Sequence, residues 1–291
     1  MNSRVMLLAT ITTVALMFAA DAWGQKATEE PIHYVLGASE RKIVASTVAH
    51  QDYELIVNLP SSYDKEPSRR YPVFYFCDGY YDFALITMIY YDQLFDQTIP
   101  ECILVGFSYK GENLDYGPLR GYDYTPTEVQ GAGRTGGAPT FLKVIETDFI
   151  PYVESHYRVD RSFRVLGGSS AGGLFSLYAM FSHPTLFNAY ISISPAILWD
   201  RAWLVIMEEQ YHQQHQDLPV SLYMTGAEKE FSDNPAFVES VRFFGEILKK
   251  RNYKDFRYQY RILDDAYHAS SKPEGYTRGM QHAFAPLVKQ K

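Results

Sequence analysis

The chain has 291 residues, 46% of them hydrophobic and 21% charged, which suits a globular protein with a sizeable core. Its net charge is −7, and no basic stripe able to neutralise phosphates interrupts it, so composition argues against a nucleic-acid partner. Only two cysteines are present, spaced for neither a zinc site nor a redox CxxC pair.

Residues 1–24, MNSRVMLLATITTVALMFAADAWG, read as a signal peptide. Arg4 supplies the positive start and Val5 to Ala20 an apolar stretch, shorter than the roughly 20 residues a membrane span needs. Ala22 and Gly24 offer a small-residue cleavage point before Gln25. The expectation is a periplasmic or secreted protein with no stable membrane insertion, folded as a single domain over residues 25–291.

KIVASTVAH and YELIVNLP are β-branched strand patterns, and YPVFYF is a continuous apolar strand of the kind buried on both faces. Helical spacing runs from Tyr81 to Gln97, and ILVGFSY is the next buried strand. Lys110 to Gly137 shows no clean period. Phe141, Leu142, Ile145, Phe149 and Val153 then trace one helical face, with a kink at Pro151. FRVLG, AYISIS, VSLYMTG and FRYQYRIL read as strands, separated by AGGLFSLYAMFS and by Pro235 to Arg251 as helices. A last helix covers Gly275 to Val288. Alternation of strand and helix predicts an α/β architecture, a mostly parallel central sheet flanked by helices on both faces. Cys77 ends one inner strand and Cys102 begins its expected parallel neighbour, so strand rise keeps the sulfurs far apart and both thiols are expected free and buried.

LGGSSAGG lies where a buried strand meets a helix. Within it Gly168-Ser169-Ser170-Ala171-Gly172 fits G-x-S-x-G, which makes Ser170 the candidate nucleophile. The corner is too tight for side chains two residues to either side, and it sets Ser170 at a helix start, where amides favour developing negative charge. Chance alone supplies this pentapeptide about once in twelve chains of this composition, so the strand–turn–helix context carries the argument. A phosphate cradle is excluded because no Lys-Ser or Lys-Thr follows. Gly131-Ala132-Gly133-Arg134-Thr135-Gly136 matches G-x-G-x-x-G, but a polar, Pro-bearing stretch precedes it where a dinucleotide site needs a buried strand. It reads as loop.

A serine needs a base, and the base a carboxylate. Of eight histidines, His268 in DDAYHASS follows the last strand in a short polar loop and is the candidate base. His212 and His215 sit in a polar helix-like stretch, His282 in the last helix and His183 at a helix end. Glu228, Glu230 and Asp233 all follow the preceding strand; Glu228 comes soonest after it and is preferred as the acid. The oxyanion donors are expected to be the amides of Ala171 and, from the turn after YPVFYFC, Tyr80, with Gly79 second. Tyr80, Tyr81, Tyr116, Tyr122, Tyr124 and Trp199 are candidates to hold an aromatic acyl group or a sugar and equally rim or core residues. Arg120 is positioned to meet an anionic substrate or to pair with Asp123.

YPVFYFCDG, RGYDYTP, IPYVESHYRVD, FRVLGGSSAGGLFSLYAMFSHPTLFNAYISISPAILWD and DDAYHASS, in this order, resemble the esterase family that includes enterochelin, ferri-bacillibactin, feruloyl and acetyl-xylan esterases. The resemblance implies an α/β-hydrolase fold, Ser170 as nucleophile, His268 as base, and an oxyanion amide just after Asp78-Gly79. The acid is less fixed, since family members differ there; GAEKE in this chain fits the esterase pattern of glycine followed closely by Glu-Lys. The expected activity is hydrolysis of a small-molecule or carbohydrate ester, siderophore, feruloyl or acetyl, without metal or cofactor. An acyltransferase on the same machinery, a catalytically silent binding module, and a nucleotide-binding oxidoreductase are the alternatives. Oligomeric state is not legible.

Overall fold

The computed structural model describes residues 39–231 and 234–288. The expected signal peptide lies outside the described residues, as does Asp233. Among the described residues no helix is long and apolar enough to cross a membrane.

Eight strands form one sheet: β1 Ser39–Ala45, β2 Asp52–Asn58, β3 Tyr71–Phe76, β4 Ile103–Tyr109, β5 Val159–Ser169, β6 Ala189–Ile193, β7 Ser221–Lys229 and β8 Arg257–Tyr267. Their spatial order is β1-β2-β4-β3-β5-β6-β7-β8. β1 and β2 pair antiparallel, as do β2 and β4, and every later pair is parallel. Among the described residues eight α-helices accompany them: α1 Gly79–Phe95, α2 Tyr116–Asp123, α3 Ala138–Val144, α4 Ile150–His156, α5 Ala171–Ser182, α6 Trp199–Gln214, α7 Ala236–Arg251 and α8 Lys272–Phe284.

Strand periodicity divides the core. In β3, whose six residues are all buried, Tyr75 joins the cluster containing Leu166, Phe175 and Phe244. Phe74 and Phe76 point the other way, onto Ile86 and Tyr90 of α1 and Met280 and Phe284 of α8. Helices therefore cover both faces, as an α/β-hydrolase fold requires. From β3 the chain crosses to β4 on one side and later returns to β5 on the other. The carboxyl ends of β3 and β5 flank this switch point, where open α/β sheets form their binding crevice.

Two expectations need correction. The stretch from Lys110 to Gly137 is not structureless, since α2 occupies Tyr116–Asp123 with the Asp115 side chain accepting from Gly117 N at 3.2 Å. Its glycines and Pro118 hide the helical period, while the Asp cap was the available signal. The helix through Pro151 is three segments, because a wide π-type turn at Ile145–Phe149 separates α3 from α4. Proline there removes an N–H and crowds the preceding turn, and the wider turn absorbs both. The Gly131–Gly136 run is loop, as expected, and is held in place: Thr135 Oγ1 accepts from Val129 N and Gly136 N donates to Thr125 Oγ1, each at 2.9 Å. Cys77 and Cys102 are free and buried, as expected.

Candidate active site

β5 ends at Ser169, and Ser170 turns the chain into α5 with φ 58° and ψ −118°. A non-glycine residue holds such a conformation only where its surroundings enforce it. They do so here. Ser170 N donates to Ile193 O at 2.9 Å, and Ser170 O accepts from Leu174 N at 2.9 Å and Ala196 N at 3.2 Å. A Cβ on Gly168 would stand 2.4 Å from the Gly172 carbonyl, and one on Gly172 would stand 2.8 Å from Cys77 Cβ. The two outer glycines of the pentapeptide thus pack the corner against itself and against the end of β3. Burial pushes the Cys77 thiol well up, which leaves it a protonated packing group beside the serine corner.

The turn after β3 is the second corner. Asp78 adopts φ 57° and caps α1. A Cβ on Gly79 would lie 2.7 Å from Gly106 C, so only glycine allows α1 to leave this close to β4. The Asp78 carboxylate is buried and receives both Arg120 Nε (2.8 Å) and Arg120 Nη2 (2.9 Å), a bidentate pair. Arg120 Nη2 also reaches Ser169 O at 3.4 Å. Arg120 therefore ties the β3 corner to the β5 corner, and its partner is Asp78 rather than Asp123. Tyr124 is fully buried, and its hydroxyl accepts from Asp78 N at 3.0 Å, so it supports the turn and does not line the cleft. The Tyr80 ring stacks on Tyr116 with centroids 3.6 Å apart, and its hydroxyl donates to Asp78 Oδ1 at 3.1 Å.

His268 follows β8 directly. Its Nδ1 lies 2.5 Å from Glu230 Oε2, with the Glu230 side chain 1% exposed and that of His268 20% exposed. The second carboxylate oxygen, Glu230 Oε1, accepts from Ala227 N at 2.7 Å. The imidazole is packed by Phe231 at 4.5 Å and by Phe237 edge-on at 5.3 Å. Its backbone carbonyl accepts from the buried Ser271 hydroxyl at 2.8 Å, which in turn lies 3.2 Å from Ser194 Oγ. The carboxylate at His268 is thus Glu230, not the preferred Glu228. Glu228 is exposed, and its Oε2 accepts from Asp265 N at 2.8 Å.

A cleft of about 350 Å³ brings these parts together, lined by Asp78, Tyr81, Arg120, Ser170, His268 and Lys272 among others. Tyr81 stands at its rim, 65% exposed. Lys272 donates to the buried Asp82 at 2.8 Å, and Tyr276 hydroxyl to the same carboxylate at 3.2 Å. Burial raises the Asp82 pKa, with the Lys272 charge working against it. Each cation of the cleft, Arg120 and Lys272, thus has its own buried carboxylate. Trp199 does not line the cleft; its indole Nε1 donates to Thr127 Oγ1 at 3.0 Å. Tyr80 and Ala171 occupy the first turns of α1 and α5, where amides have no acceptor within the helix. Sequence reasoning missed Glu230 as first choice, and also Lys272, Asp82 and Ser271. The serine after DDAYHAS carried no signal, because its role depends on β6 lying alongside.

Comparison with known proteins bears on the family and the fold. The family model described as "Putative esterase" matches residues 46–272. A ferri-bacillibactin esterase of Bacillus subtilis, BesA, is 23% identical over 268 residues, which is 87% of this chain and 92% of that protein. Among solved structures, the BES protein from Bacillus cereus superposes with a TM-score of 0.78 at 24% identity, covering 88% of this chain and 98% of that one. The siderophore hydrolase EstB from Aspergillus nidulans gives a TM-score of 0.76 at 22% identity, covering 90% and 100%. The chain belongs to the esterase family, with an α/β-hydrolase fold, and is a carboxylic ester hydrolase.

Proposed function

We propose that the chain hydrolyses a small-molecule ester of the siderophore type by a serine mechanism in the Ser170–His268 cleft. The observation that carries this reading is the meeting, in one cleft, of a serine held at φ 58° on a strand–helix corner and a histidine 2.5 Å from a buried glutamate. Ser170 Oγ attacks the ester carbonyl and His268 takes its proton on Nε2. Nδ1–H, held by Glu230, fixes the tautomer that leaves Nε2 free and stabilises the imidazolium that forms. The amides of Ala171 and Tyr80 stabilise the oxyanion. His268 then protonates the leaving alcohol, and water, deprotonated by the same imidazole, releases the acyl group and regenerates the serine.

The substrate class rests on two supports. The relatives named above include a ferri-bacillibactin esterase and a siderophore hydrolase. The rim tyrosine Tyr81 also offers an aromatic face beside the serine. The composition of residues 1–24 supports export to the periplasm or beyond.

Ser170→Ala is the direct test. It is expected to abolish turnover of p-nitrophenyl acetate and of an intact siderophore ester, and to abolish fluorophosphonate labelling, with an unchanged melting temperature. Retained turnover in that variant overturns the mechanism. Failure of the wild type on siderophore esters, with p-nitrophenyl acetate still cleaved, overturns the substrate class alone.

A further inference from the structure

The Gly131–Gly136 run and the far side of α2 enclose a second cavity that the hydrolytic cleft does not use. It measures about 130 Å³ and is lined by Gln51, Tyr109, Leu119, Tyr122, Asp123 and Arg134 with Pro118. By the usual space per water this is room for about four heavy atoms beneath the mouth. Its floor is polar and incompletely satisfied. Asp123 is 3% exposed and Tyr109 5% exposed; the Tyr53 and Tyr109 hydroxyls face the Asp123 carboxylate, but Asp123 Oδ2 and the Tyr109 hydroxyl fall short of full hydrogen-bond geometry. Such atoms are costly when left unpaired, so they mark a place where a donor is wanted. The mouth carries the opposite charge. The Arg134 guanidinium is exposed and lies 3.8 Å from the Tyr122 ring centroid, and among the described residues it makes no ion pair.

We infer that this cavity is a binding site for a compact zwitterion of the α-amino acid class, its ammonium on Asp123 and Tyr109 and its carboxylate on Arg134. The two charged ends of the cavity select the class. A bare cation of that size would have to sit beside the guanidinium, and a bare anion beside the buried carboxylate. One short molecule carrying both charges satisfies the floor and the mouth together, and the volume limits its side chain to a few atoms. The site is independent of ester hydrolysis, although α2 also carries Arg120 into the catalytic cleft.

Proton linkage supports the geometry. Burial raises the Asp123 pKa to about 7, with Tyr53, Tyr109 and Arg134 facing it and lowering it. An ammonium needs the ionised carboxylate, so affinity should rise as pH increases through about 7 and fall away below it.

The test is calorimetric and NMR titration of the full chain with glycine, L-alanine and L-serine, beside methylamine and acetate as single-charge probes. Saturable binding of at least one amino acid in the millimolar range or tighter is expected. It should weaken about tenfold in Arg134→Gln and in Asp123→Asn, and both single-charge probes should bind at least about tenfold more weakly. Because Asp123 is buried and Arg134 exposed, Arg134→Gln on the mouth is the deciding variant of the two. No saturable binding of any amino acid, binding unchanged in Arg134→Gln, or methylamine or acetate binding as tightly as glycine overturns the inference.

Discussion

Glu230 Oε2 lies 2.5 Å from His268 Nδ1, whereas Glu228, two residues earlier, turns to the Asp265 amide. The distinction is made by β8 rather than by β7. Ala227 pairs with Leu263, but Lys229 pairs with Tyr267, so β8 carries two extra residues and bulges, with Asp265 at φ 57°. Glu228 satisfies an amide of that bulge, and Glu230, beyond the strand end, reaches the imidazole. Glu230→Gln is therefore expected to lower kcat by about a hundredfold or more, since the amide no longer holds the productive tautomer as a charged acceptor. Glu228→Gln should stay within about twofold. Steady-state kinetics on a simple nitrophenyl ester separates the two, and equal losses would reassign the acid.

Arg120 supplies the second prediction. Arg120→Ala leaves the Asp78 carboxylate buried without its partner, and a stability loss of about 3 kcal/mol is expected in urea titration. Arg120→Lys keeps the charge but loses the two-pronged contact that joins Asp78 to Ser169 O. It should recover most of the stability and little of the rate, with kcat down about tenfold and KM nearly unchanged. A lysine variant with wild-type kcat would mean that the tie between the corners has no bearing on turnover.

At the rim, Tyr81→Ala removes an exposed ring that touches Tyr80 at 4.2 Å and little of the core. For an aromatic acyl ester KM should rise about three- to tenfold with kcat held, and for an acetyl ester neither should move much. Parallel loss on both esters would make Tyr81 a general wall of the cleft instead of an aromatic contact.

Asp123 gives a pH signature in the fold itself. Its folded pKa is raised by burial to about 7 from the ordinary value of 3.8, so the folded state binds more protons than the unfolded one between these values. Stability should accordingly fall as pH climbs from about 4 to 7 and level off above. Asp123→Asn removes this contribution. The variant should gain on the wild type by a few kcal/mol, on the order of 4 at most, across that window. Denaturant curves at pH 4.5 and 7.5, without added amino acids, measure the difference, and a constant offset would contradict it.

The parts of the site legible in the sequence are those fixed by backbone geometry. Ser170 was readable because a strand–helix corner admits only certain neighbours, and the Asp78-Gly79 turn because α1 must depart close to β4. His268 followed from its place just after the last strand. The carboxylate at His268 was not readable, because the choice between Glu228 and Glu230 depends on a bulge in a different strand, nearly forty residues onward. For Arg120 the sequence left open an anionic substrate or Asp123, and its carboxylate proved to be Asp78, which is close only in space. Tyr124, conspicuous among loop aromatics, proved to be a buried support of the Asp78 turn.

In the proposed mechanism the proton relay comes from the ends of β7 and β8, the strands made last and stacked at one margin of the sheet, whereas Ser170 directly follows β5 in its interior. During synthesis or translocation, a chain that has already built its serine corner still lacks any group to activate it. On that mechanism catalytic competence would arrive only when the outermost strand docks, and half-made molecules would be inert toward esters.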